Sequence, residues 1–201
     1  MRKLDAYERR KKKISVIMTI IIAFLMVASI FAFVVLDTGQ SDNSPTYNGK
    51  KFTITDNGYK TQINGKYIDF YYYPGDLERI SLDPNIMAKI KASQGVVFVF
   101  DPEDNVTDNL VYIDVMRYEL QSQIDKPVYF GITKNSTKYT LPVVDCRNSS
   151  FYMPFILINS SSTTNFNVSQ EYPDCIIMNG KLKELLALKD RFVYTYYGIM
   201  S

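Results

Sequence analysis

Residues 96–133 read VVFVFDPEDNVTDNLVYIDVMRYELQSQIDKPVYFGIT, and two different periods stand side by side in them. Val96–Phe100 is an unbroken apolar run of β-branched and aromatic residues, the pattern of a strand covered on both faces. Thr107 or Asp108 supplies a cap for a helix reaching to about Ile124, in which Ile113, Met116, Leu120 and Ile124 share one face. Lys126 ends it at Pro127, because the residue before a proline is pushed out of the helical region. Val128–Thr133 is then a second apolar strand. Strand, helix, strand with both strands buried is a βαβ unit, with parallel strands and a right-handed crossover. The fold class is therefore α/β.

Upstream of this unit the period is two. Three short runs are separated by turn dipeptides: Lys51–Thr55 before Asn57-Gly58, Tyr59–Ile63 before Asn64-Gly65, and Tyr67–Tyr73 before Pro74-Gly75. Asn-Gly is a strong hairpin signal, since a type I′ turn needs positive φ at both central residues. The expectation is an antiparallel meander with Ile68, Phe70 and Tyr72 on one side, and with the tyrosines serving as strand formers rather than as a stacking surface. Asp83-Pro84 offers an N-cap and a first-turn proline for a short helix over Asn85–Ser93, stopped by Gly95. Downstream, Leu141–Val144, Phe155–Asn159 and Cys175–Met178 are strand candidates. Lys181–Tyr197 is a closing helix with Leu182, Leu185, Leu186, Val193 and Tyr196 as its buried stripe. The sheet is expected to be mixed.

The amino-terminal end has another character. Residues 1–13 hold seven Lys/Arg against Asp5 and Glu8, a local +5, so the rest of the chain, with 16 basic and 19 acidic residues, carries −3 of the total of +2. Residues 14–36, ISVIMTIIIAFLMVASIFAFVVL, contain no charge, Pro, Gly, Asn or Gln. As a helix they extend about 34 Å, slightly more than a hydrocarbon core of about 30 Å. A cleaved leader has a shorter apolar region and a small-x-small exit, which Phe31-Ala-Phe-Val-Val-Leu36 lacks. A retained transmembrane helix is expected, and the positive-inside rule keeps residues 1–13 cytoplasmic and sends the remainder outside the cell membrane. Residues 37–50 read as a polar linker, and residues 51–201 as the extracytoplasmic domain. A short basic flank beside a span points to lipid and not to nucleic acid.

Five N-glycosylation sequons, at Asn105, Asn135, Asn148, Asn159 and Asn167, all fall on the outer side, against about two expected by chance. The stretch from Asn159 to Ser169 also reads as a Ser/Thr/Asn-rich loop that generates sequons through composition alone.

Histidine is absent, which excludes Ser-His-Asp and Cys-His triads, imidazole bases and His-ligated metals. Two cysteines, Cys146 and Cys175, are too few for a Cys-only zinc site. On the oxidising side of a membrane such a pair forms a disulfide across the long connection between them, or serves as reactive thiols. The acidic loop Asp101-Pro102-Glu103-Asp104 follows a buried strand, where open α/β sheets bind ligands. The same acids also suit a solvated entry into a helix N-terminus. The expectation is carboxylates splayed into water and no metal or cofactor at this loop. No catalytic residue is assigned.

Met153-Pro154-Phe155, following a βαβ unit and leading into a strand, has the outline of a thioredoxin-like fold. In that family a cis-proline stands beside a Cys-x-x-Cys motif, which this sequence lacks. Thr46-Tyr-Asn-Gly, Cys146 with Pro154, Asp174-Cys175-Ile-Ile-Met, and Asp190-Arg191-Phe-Val-Tyr with Gly198-Ile-Met200 resemble uncharacterised archaeal single-span membrane proteins with one small outer domain. The resemblance brings no activity and transfers no catalytic residue. The function expected is a non-enzymatic accessory, assembly or recognition subunit, anchored in the bilayer and meeting another membrane or cell-surface protein. The alternative is an extracytoplasmic enzyme or redox protein using Asp101–Asp104 or the two cysteines.

Overall fold

The computed structural model describes residues 17–29 and 44–201. Residues 17–29 form helix α1, with exposed side chains. Among the described residues no helix is long and apolar enough to cross a membrane. Residues 1–16 and 30–43 lie outside the described part, together with both ends of the span expected over 14–36, which therefore stays an expectation from the sequence.

The body opens earlier than Lys51. Thr46–Tyr47 (β1) and Lys50–Lys51 (β2) pair antiparallel around Asn48-Gly49. Both turn residues have positive φ, 46° and 75°, as a type I′ turn demands. This hairpin lies in what reads as linker, and Asn48 ties it down by donating to the Ile199 carbonyl at 2.9 Å.

The meander is present as Thr53–Thr55 (β3), Gly58–Ile63 (β4) and Lys66–Phe70 (β5). Asn64-Gly65 forms the expected turn, with φ of 51° and 82°. The other hairpin is shifted by one residue: Thr55 pairs with Gly58, leaving Asp56-Asn57 as the loop. Gly58 is needed as strand rather than as turn, because at φ 143° a Cβ would meet the Phe70 carbonyl oxygen at 2.1 Å.

Helix α2 runs over Pro84–Ala92, with the Asp83 carboxylate accepting the Asn85 N–H. The βαβ unit follows as Val96–Phe100 (β6), Asn109–Gln123 (α3) and Val128–Ile132 (β7), with β6 and β7 parallel and Phe98 opposite Phe130. Phe155–Asn159 (β8) joins β6 on its other side, and Cys175–Asn179 (β10) joins β8, both parallel. The Asn-rich loop contains an unexpected antiparallel edge strand, Asn165–Val168 (β9), beside β10. The mixed five-stranded order is thus β7-β6-β8-β10-β9. Leu141–Val144 contributes only one bridge, Val143 to Ile132. The described residues contain no cis peptide bond, so Pro154 does not reproduce the cis-proline of thioredoxin-like proteins.

Helix α4, Lys183–Tyr196, was expected to bury one stripe, yet every residue from Leu185 to Thr195 is buried. Phe192 meets Phe98 of the sheet edge-on at 5.8 Å, whereas Tyr194 stacks on Phe70 of the meander at 4.0 Å. Two residues along a helix are about 200° apart around its axis, so α4 is covered from opposite sides. One continuous core accordingly joins β5, α2, α3, α4 and the helix-facing side chains of the large sheet, among them Val96, Phe98 and Phe100. On the sheet's other face Val97, Val99 and Phe155 pack with Cys175 under the segment carrying Val144, Cys146 and Met153. Gly131 lets this cover approach, since a Cβ there would lie 2.3 Å from Val144 Cγ2.

Candidate functional site

In this sheet the chain steps from β6 outward to β7, then returns to place β8 and β10 on the opposite side. The order reverses between β6 and β8, and ligands of open α/β sheets bind beyond the carboxyl ends of such strands. The loop after β6 is the acidic one. Asp101 and Glu103 face water and share Lys134 at 3.1 and 3.2 Å, as expected of a solvated loop.

Asp104 departs from that expectation and turns inward. Its Oδ1 accepts the Val106 N–H at 2.9 Å, and its Oδ2 accepts Asn109 Nδ2 at 2.5 Å together with the Ser160 hydroxyl. Asn109, fully buried, also donates to Ser160 at 2.8 Å and accepts the Leu182 N–H at 2.7 Å. One carboxamide therefore holds the loops after β6, β8 and β10. Next to it an asparagine ladder crosses the strand ends: Asn159 donates to Asn179 and Asn179 to Asn165, each at 2.8 Å. An open cleft of about 440 Å³ adjoins, lined by Glu103, Asp104, Leu110, Asn135 and Lys138. Among the described residues no three Cys, Asp or Glu side chains converge as a metal site. The polar groups of this rim bond chiefly to each other, so their evident work is to fix the loops.

The cysteines are joined, Cys146 to Cys175, with Cα atoms 5.3 Å apart. The bond staples the covering segment to the first residue of β10, where Cys175 is fully buried. The five sequon asparagines are all exposed. Asn105 and Asn135 lie in the loops after β6 and β7, and Asn159 ends β8, so three of them ring the carboxyl rim of the sheet. Asn148 and Asn167 lie on the disulfide-bonded cover and on β9.

Sequence reasoning missed two features. The first is the opposite, amino rim. A tight turn in which Ser150 and Met153 exchange backbone bonds pushes Phe151 and Tyr152 outward, 49% and 64% exposed. Tyr129, near the start of β7, is 51% exposed, and its ring and the Met153 sulfur both approach Gly95. The available signal was Ser149-Ser150-Phe-Tyr-Met-Pro154, an aromatic pair within a turn-forming stretch.

The second is a buried charge cluster. Lys189 and Asp190 have no exposed surface, and Lys189 Nζ lies 2.6 Å from Asp190 Oδ1 and 2.7 Å from Glu119 Oε2. Asp190 Oδ2 accepts the backbone N–H groups of Tyr71 and Tyr72 at 2.8 and 2.9 Å. Burial pushes the Asp190 carboxyl up to about 6, with Lys189 opposing the shift. Tyr71 donates its hydroxyl to Glu119 at 2.6 Å, and burial followed by this bond raises its phenol. The tyrosines of 71–73 thus tie the meander to the body: Tyr72 reaches the Lys183 carbonyl at 3.4 Å and Tyr73 the Thr46 carbonyl at 2.7 Å. A one-stripe reading of the last helix left residues 189–191 outside the core. Compared with known proteins, the chain matches no family model, no curated protein and no solved structure.

Proposed function

We propose that the chain is a single-pass membrane subunit, amino terminus cytoplasmic and body outside, whose work is recognition or assembly rather than catalysis. Its anchor is the apolar run 14–36 in the lipid bilayer, and its partner is another membrane or cell-surface protein. The observation that carries this reading is the opposition of the two sheet rims. Three sequons ring the carboxyl rim, whereas the amino rim, with the sequon of Asn148 at its edge, offers the exposed rings of Tyr129, Phe151 and Tyr152. A glycan needs open solvent. Tyr, Phe and Met are enriched at the centres of protein interfaces, where charged groups are depleted. The amino rim is accordingly the partner-facing side.

A photo-crosslinking residue placed at position 152, in the full chain on intact cells, should give one discrete protein adduct. The same residue at Tyr118, an exposed position of α3, should give none. Equal labelling from both positions, or none from either, overturns the assignment of the amino rim. Protease added to the same cells should digest the body and spare an amino-terminal tag; a protected body inverts the topology.

A further inference from the structure

Residues 134–139, which leave β7, are pinned at both ends. Lys134 is held by Asp101 at 3.1 Å and Glu103 at 3.2 Å, both in the loop after β6. Tyr139 donates its hydroxyl to Asp114 of α3 at 2.9 Å and sets its ring edge-on against Phe100 at 5.0 Å. Between these pins the backbone turns, the Lys138 N–H donating to the Ser136 hydroxyl oxygen at 3.1 Å. Asn135, Ser136, Thr137 and Lys138 all line the open cleft of about 440 Å³. A short segment held at both ends fixes the direction that its side chains take.

Asn135 is the acceptor position of the sequon Asn-Ser-Thr. It is exposed, and its carboxamide makes no hydrogen bond among the described residues, unlike that of Asn159, whose Nδ2 donates to Asn179. In N-glycosylation Nδ2 bonds to the anomeric carbon of an oligosaccharide carried on a lipid phosphate. The bond from that carbon to the phosphate oxygen breaks, the lipid phosphate leaves, and one amide proton passes to the transferring enzyme. A sugar attached to Asn135 therefore begins inside the cleft. Leu110, on the cleft wall, offers an apolar surface to a sugar ring. Lys138 offers ammonium hydrogens, and Glu103 offers Oε1, which its ion pair with Lys134 leaves unused. An apolar wall with a few placed polar groups, in a volume of about 300–1,000 Å³, is what small-ligand sites present.

We propose that the glycan on Asn135 docks on the chain that carries it: its first sugars lie in this cleft, a ring against Leu110 and hydroxyls on Lys138 and Glu103. The inference rests on the outer placement of the body proposed above. Docked there, the sugar ties the loop after β7 to the first turn of α3. It also covers the strand ends beside the point where the sheet order reverses, where an open α/β sheet otherwise admits a ligand. That side of the body is then closed by its own modification, and recognition falls to the opposite rim.

The test uses the full chain, purified in detergent from cells that glycosylate, beside Thr137→Ala, which destroys the sequon and leaves Asn135 in place. Peptide mass spectrometry reads sugar occupancy at each sequon, and brief acetylation reads access to each lysine. Lys138 should react severalfold more slowly in the glycosylated protein than in Thr137→Ala, while Lys91, exposed on α2, should react equally in both. Nuclear Overhauser contacts should join sugar protons to the Leu110 methyl groups. An occupied Asn135 without those contacts, or with Lys138 equally reactive in both proteins, overturns the docking and leaves the outer placement standing. An unmodified Asn135 beside other occupied sequons does the same. Absence of sugar from every sequon ends the docking and removes the glycan support for the outer placement as well. Should Thr137→Ala fail to fold, enzymatic removal of the sugar from the folded protein supplies the same comparison.

Discussion

Asn109 accepts the backbone N–H of Leu182 at 2.7 Å, across 73 positions of sequence, while Leu182 stands at φ 53°. A left-handed leucine is strained by contact between its Cβ and the backbone. The bond from a fully buried carboxamide holds that conformation, and with it the entry into α4.

Replacing Asn109 by Ala leaves the Leu182 N–H without its acceptor and removes one of the three donors to Asp104. A loss of about 2–3 kcal/mol is expected, the range for a buried polar group deprived of its partner. Urea unfolding should show a lower midpoint with an unchanged slope. A midpoint equal to that of the unaltered protein would mean that the carboxamide holds nothing.

The three acids of the loop after β6 should separate into two kinds. Asp101→Asn with Glu103→Gln removes surface ion pairs to Lys134 and should change stability by no more than about 0.5 kcal/mol. Asp104→Asn turns an amide group toward the Asn109 and Ser160 donors and should lose about 1–3 kcal/mol. Thermal melts of the two variants, side by side, test the division. Equal effects would place Asp104 in solvent with its neighbours.

Breaking the staple should give one phenotype by three routes. The chain between Cys146 and Cys175 forms a loop of 29 positions, for which chain entropy gives about 3–4 kcal/mol. Cys146→Ala, Cys175→Ala and the double variant should therefore match in denaturant midpoint and all fall below the unaltered protein. Thiol labelling of the unreduced, unaltered protein should find no free cysteine.

Gly131 and Val144 should couple. Gly131→Ala brings a methyl group against Val144 and is expected to destabilise the domain by about 1–3 kcal/mol, the range for overpacking. Trimming the opposing side chain with Val144→Ala should recover part of that loss, so the double variant should be more stable than the sum of the single changes predicts. Strict additivity would mean that the covering segment moves away freely at this point.

Local pattern was enough for several elements, each for a physical reason. The unbroken run Val96–Phe100, the stripe from Ile113 to Ile124, and Pro127 define the βαβ unit because a buried strand, an amphipathic helix and a proline stop are properties of adjacent residues. Asn64-Gly65 marks its turn because few other pairs reach positive φ twice. The absence of histidine removed whole chemistries before any contact was known, and two cysteines on a side read as oxidising pointed to a bond that the fold does form.

Other features depended on residues far apart in sequence. The final helix carries Lys189, Asp190 and Arg191 in succession, and nothing local announces that a meander more than 100 positions earlier covers the side opposite the sheet. Burial of those charges is decided by the second layer, which supplies Tyr71, Tyr72 and the Ile80 carbonyl as partners. Likewise Asp104 could be read as solvated until Ser160, from the loop after β8, met it together with Asn109 at the start of α3. The β9 edge strand formed where composition reads as loop, because β10 presents a free edge whose backbone groups need partners. Composition and period determine what a segment is able to become. Which faces are covered, and which polar groups are enclosed with which, is set only when the layers close.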